Sequence, residues 1–470
     1  MKRNMHIPYI AAAPSLGVSL VPVLTLIGVL VAVMAVSGPL AAADYAPWAL
    51  LIASAAGVAV AFISGSLGRK QMRLGLLRSA SQLLPAIPLL AFIAILSTTW
   101  MTSGVVPLFI EYGLRLINPD WFLVTVCGVC GIVSVVTGSS WSTIATVGVA
   151  FAGIGDALGI HAGWTAGAVI SGAYFGDKLS PLSDTTVVAS SACGVDLFKH
   201  IRHMLPTTVP AMAIALVLFA VKGLTSDWSA HADSDTGRYL ASLFSLSPWL
   251  LAIPLGTILM LAFRVRTVTA LAVSSLAGVL TTLFVQPQLG IDLAGMPSLL
   301  WSGFEATTGN AAMDELVATG GLWGITPVVW LILCALVFGW VMIGTGMLRS
   351  ITRSISGRLS GRKSVVGASL ATGFTLNAAT ADQYLSIIIS ANMFRPLYRR
   401  MRLEPRLLSR TLEDAISATS PLIPWSSCGV TQAAVLGVAT MTYLPYCFFN
   451  YLTPLFALLL AMWPRRNRGI

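Results

Sequence analysis

The chain has 470 residues, of which 56% are hydrophobic and only 10% charged. A water-soluble protein of this size carries far more surface charge, so soluble enzymes and scaffolds do not fit. The net charge of +10 does not point to nucleic acid either, because the basic residues cluster in short loops between apolar runs, as in the cytoplasmic loops of membrane proteins.

Lys2 and Arg3 precede the apolar run 16–37. It is longer than the apolar part of a signal peptide and reads as a first span kept in the mature protein. Further spans are predicted near 47–66, 80–100, 164–190, 204–223, 248–263, 267–285, 325–346, 411–438 and 445–463, each close to the roughly 20 residues needed to cross a bilayer. Lys and Arg set the orientation. Arg69, Lys70, Arg73 and Arg78 follow the second span, Lys199 and Arg202 the fourth, and Arg264 and Arg266 separate the sixth and seventh. Arg349, Arg353, Arg358, Arg362 and Lys363 follow the eighth, six arginines lie in 395–410, and Arg465, Arg466 and Arg468 close the chain. These loops and both termini are expected in the cytoplasm. The stretch 222–247, with Asp227, Asp233 and Asp235, is expected outside.

The basic segments 349–363 and 395–410 then lie on one side, so the apolar stretch 364–394 must enter the membrane and return. A re-entrant hairpin satisfies this, since irregular backbone at depth is tolerated where it lines a cavity. The stretch 121–157 is its counterpart. Ser180-Pro181-Leu182 recurs as Ser420-Pro421-Leu422, and Trp100 and Gly104 recur as Trp340 and Gly344, all at an offset of 240. Thr137 and Trp141 resemble Thr380 and Tyr384 at an offset of 243. The reading is an all-α polytopic membrane protein of two inverted repeats, 1–230 and 231–470. Each repeat has five spans, one hairpin (121–157 or 364–394) and one broken helix (164–190 or 411–438). Interrupted segments at matching positions of two halves point to a transport site.

Asp177, Lys178 and Asp184 stand inside the glycine-rich apolar stretch that Pro181 interrupts. A carboxylate at mid-bilayer costs about 3 kcal/mol and usually marks an ion or substrate pathway. Pro181 removes a backbone donor and disfavours helix at Ser180, so two half-helices around a polar turn are expected. Asp177 and Asp184 are candidate ion-binding or proton-coupling groups, with Ser183, Thr185 and Thr186 adding hydroxyl oxygens suited to a hard cation. Lys178 could pair with either aspartate and hold it ionised, or compete with a bound cation; the plain alternative is an interfacial Asp177–Lys178 ion pair near a helix end. Asp382 in the second hairpin is a further candidate ion-binding or proton-coupling group; Asn377 and Thr380 beside it, and Thr137, Ser139 and Ser140 in the first hairpin, are candidates for an opposed oxygen shell. Ser420 and Ser427 join them at the second break. For single Ser and Thr residues, hydrogen bonding between helices is the plain alternative. Glu413 and Asp414 follow the basic loop, where a pair with Arg410 at the membrane surface is at least as good a reading as transport chemistry. Glu305, Asp314 and Glu315 read as a solvated outer surface. Cys127 and Cys130 form a CxxC without a second Cys pair or a His cluster, so they and Cys193, Cys334, Cys428 and Cys447 read as packing residues.

Several motifs together resemble the NhaC family of sodium/proton antiporters, in the broader ion transporter superfamily. They are Ser171-Gly-Ala-Tyr-Phe-Gly-Asp-Lys-Leu-Ser-Pro-Leu-Ser-Asp-Thr-Thr186, Thr137-Gly-Ser-Ser-Trp141, Asp382-Gln-Tyr-Leu-Ser386, Ser409-Arg-Thr-Leu-Glu-Asp414, Ser420-Pro-Leu-Ile-Pro-Trp425 and Pro445-Tyr-Cys-Phe-Phe-Asn450. The chain departs from the family pattern at Val187 and Ser426, where Asn is common. The resemblance implies exchange of sodium for protons across the inner membrane, with some members exchanging carboxylates such as malate and lactate. The expected partners are sodium ions, protons and membrane lipid, with no nucleic acid, no cofactor and no metal other than sodium; a homodimer is plausible. The alternatives are a sodium- or proton-coupled exchanger of small organic acids or amino acids, an intramembrane enzyme and a passive channel. No His/Cys/Ser arrangement supports the enzyme.

Overall fold

The computed structural model describes residues 14–37, 41–65, 72, 73, 75, 77, 86–226, 234–306, 314, 316–356 and 361–462. Lys2, Arg3, Arg69, Lys70, Arg78, Asp227, Asp233, Glu315, Arg358, Arg465, Arg466, Arg468 and the 230/231 boundary lie outside them. Every regular element among the described residues is helical, which satisfies the backbone within each segment where it has no water to bond with. Six of these helices are long and apolar enough to cross a membrane, and nine if each of three bent pairs counts as one span. The protein is an all-helical, multi-pass membrane protein.

The first pair, α1 (Leu16–Ser37) and α2 (Ala41–Ile63), precedes α3 (Ala86–Thr102). The sequence reading ended that third span at residue 100. Instead the chain bends by 64° at Ser103–Gly104 and continues as α4 (Val105–Leu116). Gly104 takes φ 84° there, and the buried amide of Gln286 donates to the Ser103 carbonyl at 2.9 Å. A distant side chain thus satisfies a backbone group that the bend leaves open.

The next elements build the first half of the site. α5 (Phe122–Thr137) meets α6 (Ser140–Thr143), which runs through a π turn at Ile144–Gly148 into α7 (Val149–Ala157). α8 (Ala162–Leu179) and α9 (Asp184–Cys193) are the two pieces of the broken helix, followed by α10 (Leu197–Thr225). α8 lies hard against α5: a Cβ on Gly172 would sit 2.2 Å from the Cys127 carbonyl oxygen, and one on Gly176 2.2 Å from that of Gly131. Small residues at this crossing let two backbones touch.

Then come α11 (Ser234–Leu243), α12 (Ala252–Ala262), α13 (Thr267–Val285), α14 (Met296–Ser302), α15 (Thr326–Gly344) and α16 (Met347–Ser356). The Trp100 indole donates to Ser274 Oγ at 3.0 Å and the Thr102 and Thr282 hydroxyls lie 2.9 Å apart, joining α3 to α13. The last elements build the second half of the site. α17 (Arg362–Thr380) meets α18 (Gln383–Arg400), and α19 (Pro405–Leu412) runs into a π turn at Glu413–Ser417. α20 (Ser427–Leu436), α21 (Thr440–Tyr443) and α22 (Phe448–Met462) complete the chain. All six cysteines are buried and unbridged.

Candidate functional site

Four interruptions of helix converge on the site, and they come in two matched pairs. At the first tip Gly138 is left-handed (φ 70°) and Ser139 is extended, its Oγ accepting from the Ser142 amide. At the second tip Ala381 is left-handed (φ 56°) and Asp382 is extended, its Oδ1 accepting from the Leu385 amide at 2.7 Å. The hydrogen bonds repeat at the same offset of 243. Thr137 pairs with Thr143 at 3.2 Å, and Thr380 with Ser386 at 2.7 Å. Ser134 Oγ donates to the Ala173 carbonyl, and Asn377 Nδ2 to that of Ile416. Each left-handed residue followed by a capping residue ends one helix and starts another.

The two broken segments match in the same way. α8 stops at Ser180, and Ser183 caps α9. The chain after the second π turn passes through a tight turn at Ser420–Leu422, and Ser426 caps α20. Each tip touches the break of its own half: a Cβ on Gly138 would lie 2.4 Å from Leu182 Cβ, and the Ser427 amide donates to the Ala381 carbonyl at 2.8 Å.

Asp177, in the last turn of α8, is buried, and its Oδ2 accepts a 2.6 Å hydrogen bond from Ser140 Oγ of the first tip. A hydroxyl aimed at a carboxylate stabilises its charged form. Lys178 pairs with neither Asp177 nor Asp184. It forms a buried ion pair with Asp414, which lies 3.6 Å from Arg410 and also accepts from Thr207 at 3.3 Å. Tyr174, Asp177, Lys178, Thr185, Glu413, Ser417 and Ala418 line a small cavity of about 10 Å³. That is the scale of one water or one small ion.

Comparison with known proteins decides the family. The sequence profile of the Na+/H+ antiporter family matches residues 2–196 and 172–463. The chain belongs to the Na+/H+ antiporter family. It is 40% identical over 372 residues, 79% of this chain and 80% of the relative, to the Na(+)/H(+) antiporter NhaC of Alkalihalophilus pseudofirmus. It is 34% identical over 379 residues, 80% of this chain and 83% of the relative, to the Na(+)/H(+) antiporter NhaC of Bacillus subtilis. A third relative, the Malate-2H(+)/Na(+)-lactate antiporter of Bacillus subtilis, is 33% identical over 386 residues, 81% of this chain and 82% of the relative.

In this Na+/H+ antiporter family member the remaining predicted residues fall into distinct places. Thr185 and Thr186 are buried; Thr185 meets the Ser183 hydroxyl at 3.0 Å, and Thr186 donates to the Lys178 carbonyl. Asp184 is exposed at the start of α9, yet within electrostatic reach of Asp177. Asp382 is half-buried at the second tip. Ser420 is buried, and its carbonyl accepts from Ser426 Oγ at 2.6 Å. Ser426, where the family often has Asn, therefore serves here as a helix cap. Val187, the other departure, is 40% exposed.

Two expectations are corrected. Lys178 was read as able to pair with Asp177 or Asp184; the α8 break instead turns it across to Asp414. Glu413 and Asp414 were read as pairing with Arg410 at the membrane surface at least as readily as serving transport; Asp414 does lie 3.6 Å from Arg410, but away from the surface, since both carboxylates are fully buried and Arg410 is 3% exposed. The basic loop does end before them, yet α19 carries the chain inward. The pairing of segments 236 residues apart leaves no signal in local spacing.

Proposed function

We propose that the protein exchanges sodium for protons by alternating access, with Asp177 as the carboxylate for which the two cations compete. The observation that carries this is a buried Asp177 at a helix break, held by the Ser140 hydroxyl of the first tip and facing an ion-sized cavity. A carboxylate in such a place must be neutralised, and either a proton or a hard cation can do so. The hydroxyls of Thr185 and Ser417, which line the cavity, supply further oxygens of the kind a hard cation takes. Asp184 would meet ions at the mouth of the site, and Asp382, Asn377 and the two tips would support its geometry.

The matched tips, breaks and hydrogen bonds support two inverted repeats, roughly 1–230 and 231–470, whose relative rocking would expose the site to each side in turn. The basic loops support cytoplasmic termini in a bacterial inner membrane. Transport chemistry accounts for the buried carboxylates without an enzymatic step. Exchange of an organic acid is the weaker reading: a carboxylate substrate needs cationic donors, and Lys178 and Arg410 both face Asp414. The test is proton flux in everted vesicles carrying a pH gradient and a fluorescent pH reporter. Sodium alone should dissipate the gradient, and Asp177→Asn should abolish the response. A response that needs malate, lactate or an amino acid would move the assignment to the organic-substrate exchanger.

A further inference from the structure

Glu413 takes no part in that reading, yet it is 0% exposed and neither Oε1 nor Oε2 has a hydrogen-bond partner among the described residues. It lines the same cavity as Asp177. A buried ionised carboxylate without partners is too costly to persist, so a proton or a cation must neutralise it. Its neighbour Asp414 faces the two nearby cations, Lys178 from α8 and Arg410 from α19. Lys178 also lies within electrostatic reach of Glu413 and Ser417 shares its cavity, but Lys178 is paired with Asp414 and a hydroxyl brings no counter-charge; the other groups around the π turn are engaged elsewhere. α9 brings Cys193, α10 brings His200, bonded to Ser409, and α18 brings Arg395, whose guanidinium donates to the Ala192 carbonyl. From α17 and α22 the amides of Asn377 and Asn450 donate to the Ile416 and Ala418 carbonyls at 3.0 and 2.7 Å. These two bonds hold the segment in which Glu413 begins a π turn, a departure from regular helix that is frequent at functional sites.

Counted as formal charges, the buried cluster holds three carboxylates (Asp177, Glu413, Asp414) and two cations (Lys178, Arg410). One negative charge is left over, shared by the two carboxylates that face the cavity. We propose that Glu413 is a second cation-binding carboxylate of the transport site, with one sodium ion held between Asp177 and Glu413. When sodium leaves, two carboxylates facing one water-sized space repel each other, and protons take its place. This rests on the sodium/proton reading of Asp177.

The experiment is sodium chloride titration of the purified full-length protein by calorimetry, in buffers of different ionisation heat, which yields both the Kd and the protons released per sodium bound. Glu413→Gln should weaken sodium binding about tenfold or more and lower the proton count, while Glu413→Asp should keep the proton count and weaken binding less. If Glu413→Gln leaves the Kd and the proton count unchanged while Asp177→Asn abolishes binding, Glu413 is structural and the Asp177 reading stands. If Asp177→Asn also binds sodium as the parent does, the site itself is misassigned. Should Glu413→Gln fail to fold, Glu413→Asp decides, because withdrawing the carboxylate by one methylene must shift the Kd if it touches the ion.

Discussion

Lys178, in the last turn of the first half of one broken helix, and Asp414, in the π turn leading to the other, form an ion pair with 3% of one side chain and none of the other exposed. The pair fastens the two interrupted segments to each other beside the cavity. Removing one partner of a buried pair leaves an uncompensated charge and costs about 3–5 kcal/mol. The two partners are not equal here, because Asp414 also has Arg410 at 3.6 Å and Thr207 at 3.3 Å. Asp414→Asn takes the carboxylate from Lys178 and from Arg410 at once, whereas Lys178→Met leaves Asp414 with Arg410. Thermal melting of the detergent-purified variants should therefore rank Asp414→Asn below Lys178→Met, and both below the parent. Equal melting of all three would show that the pair does not hold the segments.

Ser140 and Ser139 are adjacent but have different jobs. Ser140 donates to Asp177 at 2.6 Å, while Ser139 caps the Ser142 amide at 3.2 Å. A hydrogen bond to a charged group is worth about 1.5–3 kcal/mol, and 1.4 kcal/mol is a factor of ten. Ser140→Ala should raise the sodium concentration for half-maximal exchange about tenfold with little change in melting. Ser139→Ala should cost about 1 kcal/mol of stability as a lost cap and leave that concentration near the parent value. Vesicle dequenching against sodium concentration separates the two, and reversed outcomes would remove Ser140 from the site.

Much of this arrangement was legible in the sequence, and the reasons differ by feature. The breaks could be read because Pro181 and Pro421 cannot continue a helix and because Asp177 is too costly to bury idly. The second tip could be read because strongly basic segments flank the stretch 364–394, and the first because 121–157 resembles it. Gly138 and Ala381 then occupy equivalent left-handed positions, as the offset of 243 requires. What stayed hidden depends on contacts across hundreds of residues. Lys178 meets Asp414, and Gln286 bonds to Ser103. Local spacing put Arg410 near Glu413 and Asp414, and Asp414 does lie 3.6 Å from it, but nothing in a single segment records that other helices will bury both carboxylates. The exposure of Asp184 was hidden for the same reason.

Gly176 sets the depth of Asp177. Its hydrogen faces the Gly131 carbonyl, and an added Cβ would come within 2.2 Å of that oxygen and 2.7 Å of the Val135 nitrogen. Backbone cannot give way as a flexible side chain does, so Gly176→Ala should cost about 1–3 kcal/mol by overpacking and shift Asp177 away from Ser140. Loss of sodium-driven flux should exceed the loss of folded protein. Gly367→Ala is the control, since its Cβ would meet only Leu458 Cδ1 at 3.8 Å. It should fold and transport as the parent does. If both glycine variants behave alike, the close crossing of α5 and α8 does not position the site.

Gly138 and Ala381 share a left-handed backbone, with φ 70° and 56°, but not a side chain. A left-handed L-residue costs about 1–2 kcal/mol, so Ala381 is strained where Gly138 is not. Gly138→Ala would add that strain and also bring a Cβ to 2.4 Å from Leu182 Cβ and 2.8 Å from its carbonyl carbon. It should destabilise by more than 2 kcal/mol, roughly the strain plus the clash, and it should push the first tip off the break that carries the site. Ala381→Gly removes the strain at a cost of about 0.5–1 kcal/mol in chain entropy, so its melting temperature should match or slightly exceed the parent's. Strain alone already gives the two substitutions opposite signs, so the contact with Leu182 is read from the size of the Gly138→Ala loss and from its effect on sodium-driven flux. A Gly138→Ala loss of only about 1–2 kcal/mol with flux near the parent's would mean that the tip answers to local backbone strain and that the contact with the break carries no weight.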